Sequence, residues 1–527
     1  MEEKKSSCTS MQYGLISHSV LWIFEGLTST FDISFSKKGS RFFKRRGKQQ
    51  KKRERKKKMA NRLNVLLSHV TANKTDSAEF KSLKQSLTIT SVEAQFTLSA
   101  HQLQQMSLYM LHEMRQGLSG QSASTLKMLP SYVYKKKTSD ADGVYYALDL
   151  GGTNFRAIRM LLRNGNLVNS VSSQFAIPKE HMTGTAEGLF SFIAESLLKF
   201  VKDKGTDDAT MARKVPLGFT FSFPVQQHSI NSGSLIEWTK GFSTTGVPGQ
   251  DVVKLLQVAL DKISLNVKIV ALCNDTVGTL IARYFEDNDT QSGVILGTGA
   301  NACYWERSDQ ITKDPSLSQG GVEMVVNMEF GGFDSSKAYV LPITTFDEEV
   351  DQGSINPGAQ KFEKMISGMY LGEICRTILV SFGKNGTLPS TFATALTKPY
   401  AFDSAVASII SSDRLPGLHL VERSLHKFGI TGTLLVDRQR VQRVCSLVAG
   451  RAAQLAGMAI GATLLKNQKH SNATIAVDGS VYEKTPYFKA ILLRAVRSVV
   501  GPDCELRIVL QKEGSGLGAG FIAALSG

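Results

Sequence analysis

The sequence predicts an α/β protein with two lobes or two domains. The chain has 527 residues, which is long for a single hydrophobic core. It is 42% hydrophobic and 20% charged and contains 45 glycines, as is ordinary for soluble proteins of this class. Apolar strands that end in turns rich in Gly and Thr occur together with segments of helical period, which indicates mixed strands and helices.

The positive charge is concentrated at the N-terminus. Residues 1–58 contain 16 basic and 5 acidic side chains, and therefore eleven of the sixteen net positive charges. The block 36–58 repels itself and is predicted to stay disordered. It fits a nuclear-localisation or RNA-binding tail, or an upstream extension outside the working protein. We favour the extension, because the character of the sequence changes at Met59. The remaining body is only mildly basic, so we expect no specific nucleic-acid binding by it.

Cysteines, histidines and apolar runs exclude further classes. The six cysteines form no C-x-x-C pair, so we expect buried free thiols in a reducing compartment. The nine histidines show no metal-ligand spacing, which argues against a protein-held transition metal. Residues 14–24 are apolar but shorter than the ~20 residues that a membrane span needs, so no membrane partner is predicted.

The first elements follow from hydrophobic periodicity. The pattern over residues 92–117 predicts an amphipathic helix. Strands at 144–149 and 155–162, joined by a glycine turn, predict a hairpin. A further helix is predicted at 189–201.

A faint internal repeat accompanies these elements. Residues 146–154 (YALDLGGTN) resemble residues 294–301 (VILGTGAN), each with an apolar strand, a Gly/Thr turn and an Asn. Two such hairpins in two halves suggest duplicated lobes that face one ligand. The same pattern also arises by chance in unrelated strands.

Two glycine turns and one strand end have the chemistry of a nucleotide site. Phosphates need backbone N–H donors that approach closely, which glycine permits, and hydroxyls. Asp149 is suited to hold Mg²⁺ through water, because Mg²⁺ retains waters and uses few carboxylates. Neither turn is a P-loop, and each turn alone also fits a plain hairpin. The candidates are Gly151, Gly152, Thr153 and Asn154, then Gly297, Thr298 and Gly299, and Asp478, Gly479 and Ser480 at the strand end. Residues 514–519 superficially fit a dinucleotide fingerprint, but too few residues follow for a βαβ unit.

Segments near the middle of the chain have the mixed chemistry of a sugar site. A hydroxyl, an ammonium, an amide and a carboxylate stand on short segments bounded by Gly and Pro. They belong to Thr239, Lys240, Asn274 and Asp275. A polyhydroxylated ligand needs this mixture, with one carboxylate free to take a proton. Glu329 and Glu363 add acceptors for hydroxyls, although a lone glutamate is usually a solvated surface charge.

Together these motifs resemble the hexokinase family. LDLGGTNFR, LGFTFSFP followed by LIxWTKGF, NDTVGT, GTGxNACY, NMEFGGF and NPG…FEKMISGMYLGE stand in the family's order from about residue 76 onward. Residues 59–70, 128–134 and 331–336 look most like hexokinases of trypanosomatid parasites.

The resemblance implies the fold and its division along the chain. The fold would be the actin-like ATPase (ribonuclease H-like) fold, with two lobes around a central cleft. Residues 1–75 would be an N-terminal extension, 76–283 the N-terminal region with the small lobe, and 284–527 the C-terminal region with the large lobe.

The resemblance also implies roles residue by residue. Asp275 would be the base that takes the proton from the sugar 6-hydroxyl, with Lys240 as the second catalytic residue. The hexose would be held by Ser222, Thr239, Lys240, Asn274, Asp275, Asn301, Glu329, Gln360 and Glu363. MgATP would be surrounded by Asp149, Gly151, Gly152, Thr153, Asn154, Arg156, Gly297, Thr298, Gly299, Asp478, Gly479, Ser480 and Ser515, with Asp149 holding Mg²⁺ through water.

Three positions depart from the family's pattern. Phe330 stands where many relatives have Trp, and Lys512-Glu513 where an Asp is usual. Gly520 replaces an Ala. We expect the last two departures to lie near the nucleotide and to weaken ATP affinity.

Residues 62–70 bear on localisation. They fit an amino-terminal, peroxisome-type targeting nonapeptide except at Val70. If translation starts at Met59, this predicts the glycosome, and otherwise the cytoplasm. The alternative is the amphipathic start of a helix.

The sequence therefore predicts an ATP:hexose 6-phosphotransferase that acts on glucose and also on fructose or mannose, at the first step of glycolysis. The main rival is a catalytically silent sugar sensor, against which the presence of Asp275, Lys240 and Asp149 argues. A nucleic-acid-binding protein is the third class and rests wholly on residues 1–58. Oligomeric state is not predicted.

Overall fold

Two mixed β-sheets, each covered by helices, form the framework of the molecule in this computed structural model. The structure describes residues 89–120, 124–152, 154–204, 214–238, 241–317, 320–468 and 472–526. The predicted extension 1–75 with its segment 62–70, and the site candidates Thr153, Thr239 and Lys240, lie outside the described residues.

The elements are numbered here in chain order. The helices are α1 (Ala100–Leu118), α2 (Lys179–Thr183), α3 (Ala186–Lys204), α4 (Val252–Lys262), α5 (Asp275–Glu286), α6 (Thr345–Gln352), α7 (Lys361–Ile366), α8 (Gly368–Asn385), α9 (Thr391–Ala395), α10 (Ser404–Ser412), α11 (His419–His426), α12 (Leu435–Lys466), α13 (Ser480–Lys484), α14 (Phe488–Val500) and α15 (Gly514–Ser526). The strands are β1 (Leu129–Tyr134), β2 (Gly143–Leu150), β3 (Asn154–Arg163), β4 (Asn166–Ala176), β5 (Val215–Phe221), β6 (Val225–Ser229), β7 (Ser232–Leu235), β8 (Val267–Cys273), β9 (Thr290–Leu296), β10 (Ala300–Arg307), β11 (Glu323–Asn327), β12 (Asn472–Asp478) and β13 (Glu505–Leu510).

The two large sheets share one topology. The first has the order β4-β3-β2-β5-β8, in which β2 to β4 are antiparallel and β5 and β8 run parallel to β2. The second has the order β11-β10-β9-β12-β13 with the same pattern of directions, and β1 is added at its edge. The hairpins β2–β3 and β9–β10 therefore occupy corresponding places, which confirms the predicted internal repeat and the ribonuclease H-like arrangement.

Three hydrophobic clusters fill the space around the sheets. One joins the first sheet to α3 and α4, and a larger one joins the second sheet to the long helices of the C-terminal half. The third lies between the sheets, where α5 and α15 pack against each other. The last helix of the chain thus packs against the first sheet, and α5 packs against the second.

The helix predicted at 92–117 is two helices. Residues 89–96 form the first and α1 the second. Ser99 ends the continuity, because its hydroxyl accepts from Gln102 N at 3.3 Å while the Gln102 side chain accepts from Ser99 N at 2.9 Å. This capping box starts a new helix inside an unbroken apolar pattern. The helix at 189–201 and the hairpin at 144–162 are confirmed by α3 and β2–β3.

The cysteines, the longest helix and the arrangement of possible metal ligands each bear on a prediction from the sequence. All five cysteines in the described residues are free and buried, as predicted, and burial raises the pKa of Cys273 to about 12. Helix α12 is the one described helix with the length and apolar character of a membrane span, but 78% of its most apolar window is buried inside the protein. In the part of the chain that is described, no group of three or more acidic, Cys or His side chains is placed to hold a metal.

Candidate functional site

Asp275 stands where strand β8 passes into helix α5. Asn274 caps the helix, since its Oδ1 accepts from Thr276 N at 3.0 Å. The Asp275 carboxylate accepts from the same N–H at 2.8 Å. A helix N-terminus favours negative charge, so this half-buried carboxylate is held at the carboxyl edge of the first sheet in a fixed orientation.

A network of amides and carboxylates connects this edge to the second sheet. Asn301, on β10, donates from Nδ2 to Asn274 Oδ1 at 3.4 Å and to Glu329 Oε1 at 3.2 Å. Asn274 follows a strand of the first sheet, whereas Asn301 lies in the second and Glu329 follows β11. The structure therefore brings together three predicted sugar ligands from two sheets beside Asp275.

Helix α7 supplies the next two predicted sugar ligands. Glu363 Oε2 accepts from Ala300 N at 2.9 Å, which ties α7 to the start of β10. Gln360, which caps α7, lies so close to Gly331 that a Cβ on that glycine would be 2.4 Å from Gln360 Oε1. Ser222, also predicted on the sugar side, is buried 3.7 Å from the ideal Cβ position of Gly151 and thus lies beside the first glycine turn.

Asp149 is held by the last helix of the chain. Ser515 Oγ donates to Asp149 Oδ2 at 2.6 Å, and Thr220 Oγ1 donates to the backbone oxygen of Ser515 at 2.8 Å. Arg156, paired with Asp149 across β2–β3, lies 3.4 Å from Glu513. The start of α15 is therefore attached through three polar contacts to strands β2, β3 and β5 beside the first glycine turn.

The second glycine turn faces the end of β12. Gly368 N donates to Gly297 O at 2.8 Å, and the Cα of Gly479 lies 3.7 Å from the ideal Cβ position of Gly297. Burial and the neighbouring negative charges of Asp149 and Asp275 raise the pKa of Asp478 to about 6. The charges of Asp149 and Asp275, at the ends of two strands of the first sheet, therefore act on Asp478 of the second. A region of strong negative charge with few direct ligands suits a Mg²⁺ that keeps its waters.

A cavity of about 300 Å³ opens beside the second turn. Thr298 and Ser480 line it, together with residues that the sequence did not single out. These are Met369, Ser404, Ser408, Lys484 and Thr485. They come from α8, α10 and the α13 region, and no spacing in the sequence connects them. Of these residues, only Met369 belongs to a motif of the sequence analysis, the segment SGMYLGE. That segment indicated the resemblance to the family and did not indicate a binding site.

The two departures expected near the nucleotide have different surroundings. Gly520 lies in the core, where a Cβ would be 2.2 Å from Met160 Sδ, so close packing explains the small residue, and its effect on ATP affinity stays a prediction. Lys512 pairs with Glu483 at 2.6 Å on the surface, whereas Glu513 reaches Arg156. Phe330 is fully buried against Phe362, with ring centroids 5.3 Å apart, which fits an aromatic position filled by a smaller ring.

Comparison with known proteins gives a consistent result. Two family models described as hexokinase match residues 88–285 and 291–525. Hexokinase-2 of Oryza sativa subsp. japonica is 43% identical over 435 residues, covering 80% of this chain and 87% of that protein. Hexokinase-4, chloroplastic, of the same organism is 41% identical over 425 residues, covering 78% and 83%. The structure of a hexokinase from Schistosoma mansoni complexed with glucose superposes with a TM-score of 0.75 at 35% identity, covering 84% of this chain and 99% of that one.

These relatives do not support the trypanosomatid likeness. Similar curated proteins include hexokinases of plants and of an animal, and the segment that carried the glycosomal prediction lies outside the described residues. The glycosomal prediction therefore has no support beyond the sequence pattern of residues 62–70.

Proposed function

The chain belongs to the hexokinase family, and from that premise we propose that it transfers the γ-phosphoryl group of ATP to the 6-hydroxyl of glucose. The observation that carries the proposal is the position of Asp275. It directly follows Asn274, whose Oδ1 accepts from Asn301, and Asn301 also donates to Glu329. Its charge, like that of Asp149, acts on Asp478 at the end of β12. A sugar hydroxyl and a triphosphate bound at these groups share one space.

The side chains on the sugar side would fix the position of the hexose. The Asn301 amide can donate to and accept from ring hydroxyls, and the Glu329 and Glu363 carboxylates can accept from them. Each buried group left unpaired by a wrong sugar costs binding energy. Thr239 and Lys240, whose surroundings are not described, complete this set in the proposal. Fructose and mannose are proposed as further substrates.

The phosphate side supplies backbone donors and charge. Backbone N–H groups of the two glycine turns would approach the phosphates closely, apart from that of Gly297, which donates to Gly299 O at 3.0 Å. Asp149, held by Ser515, would bind Mg²⁺ through water. When bound, Mg²⁺ neutralises charge on the phosphate oxygens. The cavity beside Thr298 and Ser480 is the proposed place of the adenosine.

Asp275 carries the proton transfer. As the 6-oxygen forms its bond to the γ-phosphorus, the bond from that phosphorus to the bridging oxygen breaks and ADP leaves. The hydroxyl proton passes to the Asp275 carboxylate. The protein contributes mainly position and charge stabilisation, because phosphoryl transfer requires little else.

Release of ADP from MgATP and glucose tests the proposal. Asp275→Ala should lower turnover by about 10²–10⁴-fold or more, while the exposed Asp203→Ala on α3 keeps parental turnover. An active Asp275→Ala variant would contradict the role. A parent that binds glucose without releasing ADP would be the sugar sensor, and nucleic-acid binding lost on deleting residues 1–58 would favour the third class.

Localisation is a separate proposal. Similarity to plant and animal relatives, one of them named chloroplastic, gives the glycosome no support, and we propose the cytoplasm. The glycosomal alternative requires that translation starts at Met59. Peptides from residues 1–58 recovered from the native protein would refute that start and with it the glycosomal alternative.

A further inference from the structure

Asn327 is a buried polar residue at the end of β11 to which no function has been assigned so far. Its side chain is 6% exposed, and it stands opposite Cys303 of β10 in the register of the second sheet. The backbone after it is tied at Met328, whose N–H donates to Ala302 O at 3.0 Å. Asn327 thus ends a strand whose pairing with β10 continues to the residue after it.

Its amide group makes contacts at both ends. Oδ1 accepts from Asn301 Nδ2 at 2.8 Å and from Glu329 N at 3.4 Å, and Nδ2 donates to Glu329 Oε1 at 2.9 Å. The donor from Asn301 fixes which end of the Asn327 amide is oxygen, because two Nδ2 groups facing each other could not bond. The Asn327 Nδ2 is thereby directed at the Glu329 carboxylate.

Glu329 needs such support because its backbone is unfavourable. It has φ 52° and ψ 49°, in the left-handed region that side chains other than Gly and Asn rarely adopt. Residues in this region persist only where their surroundings over-determine them, commonly at functional sites. Asn327 contacts Glu329 at the backbone N–H and at the carboxylate, so one side chain acts on both its conformation and its direction, and Asn301 supports the carboxylate as a second donor.

We propose that Asn327 is a positioning residue that orients Glu329 and Asn301 toward the sugar. The inference rests on the proposed function and deepens it. Through Asn301 the same amide reaches Asn274, the cap of the helix that begins with Asp275. The order Asn274, Asn301, Asn327, Glu329 is therefore one hydrogen-bonded chain that aligns groups from both sheets.

Asn327→Asp is the sharpest test because it preserves shape and removes the donor. The variant places a carboxylate against that of Glu329. We expect the KM for glucose to rise about 10- to 100-fold, as for a charged group left unpaired, with the KM for MgATP changed less than about twofold. Asn385→Asp, at the exposed end of α8, is the matched control and should retain parental constants.

The pH dependence of catalysis distinguishes a positioning role of Asn327 from a purely structural role. At low pH the two carboxylates in Asn327→Asp share a proton, which restores a hydrogen bond. As the pH rises the proton is lost and the two charges repel. The ratio of variant to parental kcat/KM for glucose should therefore fall as the pH rises. Asn327→Ala, which adds no charge, should raise the KM for glucose without this pH dependence.

The outcomes distinguish the two levels of the proposal. A parent without glucose-dependent ADP release would overturn the proposed function itself. An active parent with an Asn327→Asp variant of unchanged glucose KM would overturn only the positioning role. Equal loss toward glucose and MgATP, with a lowered Tm and a flat pH ratio, would overturn it as well. If the Asp variant does not fold, the glucose KM of Asn327→Ala decides.

Discussion

At the scale of single residues, Asp478 shows how strongly the site concentrates negative charge. Its carboxyl is largely buried at the end of β12, and the charges of Asp149 and Asp275 act on it. Gly479 N donates to it at 2.7 Å, which partly offsets the burial. Its pKa of about 6 lies above the ordinary 3.8. Between these two pH values the folded state therefore binds a proton that the unfolded state has already lost.

Asp478→Asn should therefore stabilise the nucleotide-free protein at neutral pH. Because the folded pKa is raised, the stability that the protonated Asp478 provides is complete below about pH 4 and is lost as the pH rises through 6. The variant should gain about 1–3 kcal/mol in the free energy of unfolding at pH 7 and almost nothing at pH 4. Urea unfolding at a series of pH values measures this. A gain that is constant across that range would contradict the charge explanation.

Residue types could be predicted at the site better than their arrangement. Asp275, Asn274 and Glu329 stood in recognisable segments, and the structure places them together. Asn327 belongs to the motif NMEFGGF, but the sequence indicated no role for it. Its proposed role depends on the left-handed backbone of Glu329 and on the amide of Asn301 from another strand. Hydrogen bonds between residues 26 apart, as between Asn301 and Asn327, leave no periodicity in a sequence.

At the scale of elements, α12 and α14 make the most extensive helix–helix contact in the described part of the chain. Gly457 of α12 faces α14, and a Cβ there would lie 2.6 Å from Leu492 O. Gly450, two turns earlier on the same helix, has only Ile491 Cδ1 near its ideal Cβ, at 3.9 Å. One glycine is thus required by close packing, and the other is not.

Alanine at these two positions should change the free energy of unfolding in opposite directions. Gly457→Ala should lower the free energy of unfolding by about 1–3 kcal/mol, because the helices must move apart or strain. Gly450→Ala should raise it by up to about 1 kcal/mol, because alanine favours helix at no packing cost. Thermal unfolding of both variants measures the difference. Equal shifts would mean that α14 approaches α12 less closely than the structure has it.

Element prediction worked where the pattern was local. The period of α3 and the glycine turn of β2–β3 were sufficient, since both depend on neighbours within a few residues. The break at Ser99 was missed because the apolar pattern continues across it, and only the capping contacts with Gln102 reveal it.

At the scale of the whole molecule, the chain returns to its first lobe at its end. Buried residues of α15 join the cluster that contains strands β2, β3 and β8. Phe521 stacks on Phe285 of α5 with ring centroids 4.0 Å apart, and Ser515 at the start of the same helix holds Asp149. The sequence could not predict this docking, because a short apolar helix fits either lobe equally well.

Phe521→Ala should consequently weaken the first sheet, whose strands β2 and β3 lie more than three hundred residues away along the chain. Removing this buried ring should cost about 3–5 kcal/mol, and the lost packing lies against the first sheet and α5. Amide hydrogen exchange should increase in peptides from β2, β3 and β5 and little in β12 and β13. Phe392→Ala, fully buried on α9 in the cluster of the second sheet, is the matched control and should increase exchange in the C-terminal half instead. If both variants loosen the same peptides, the two lobes unfold as one unit and α15 does not belong preferentially to the first.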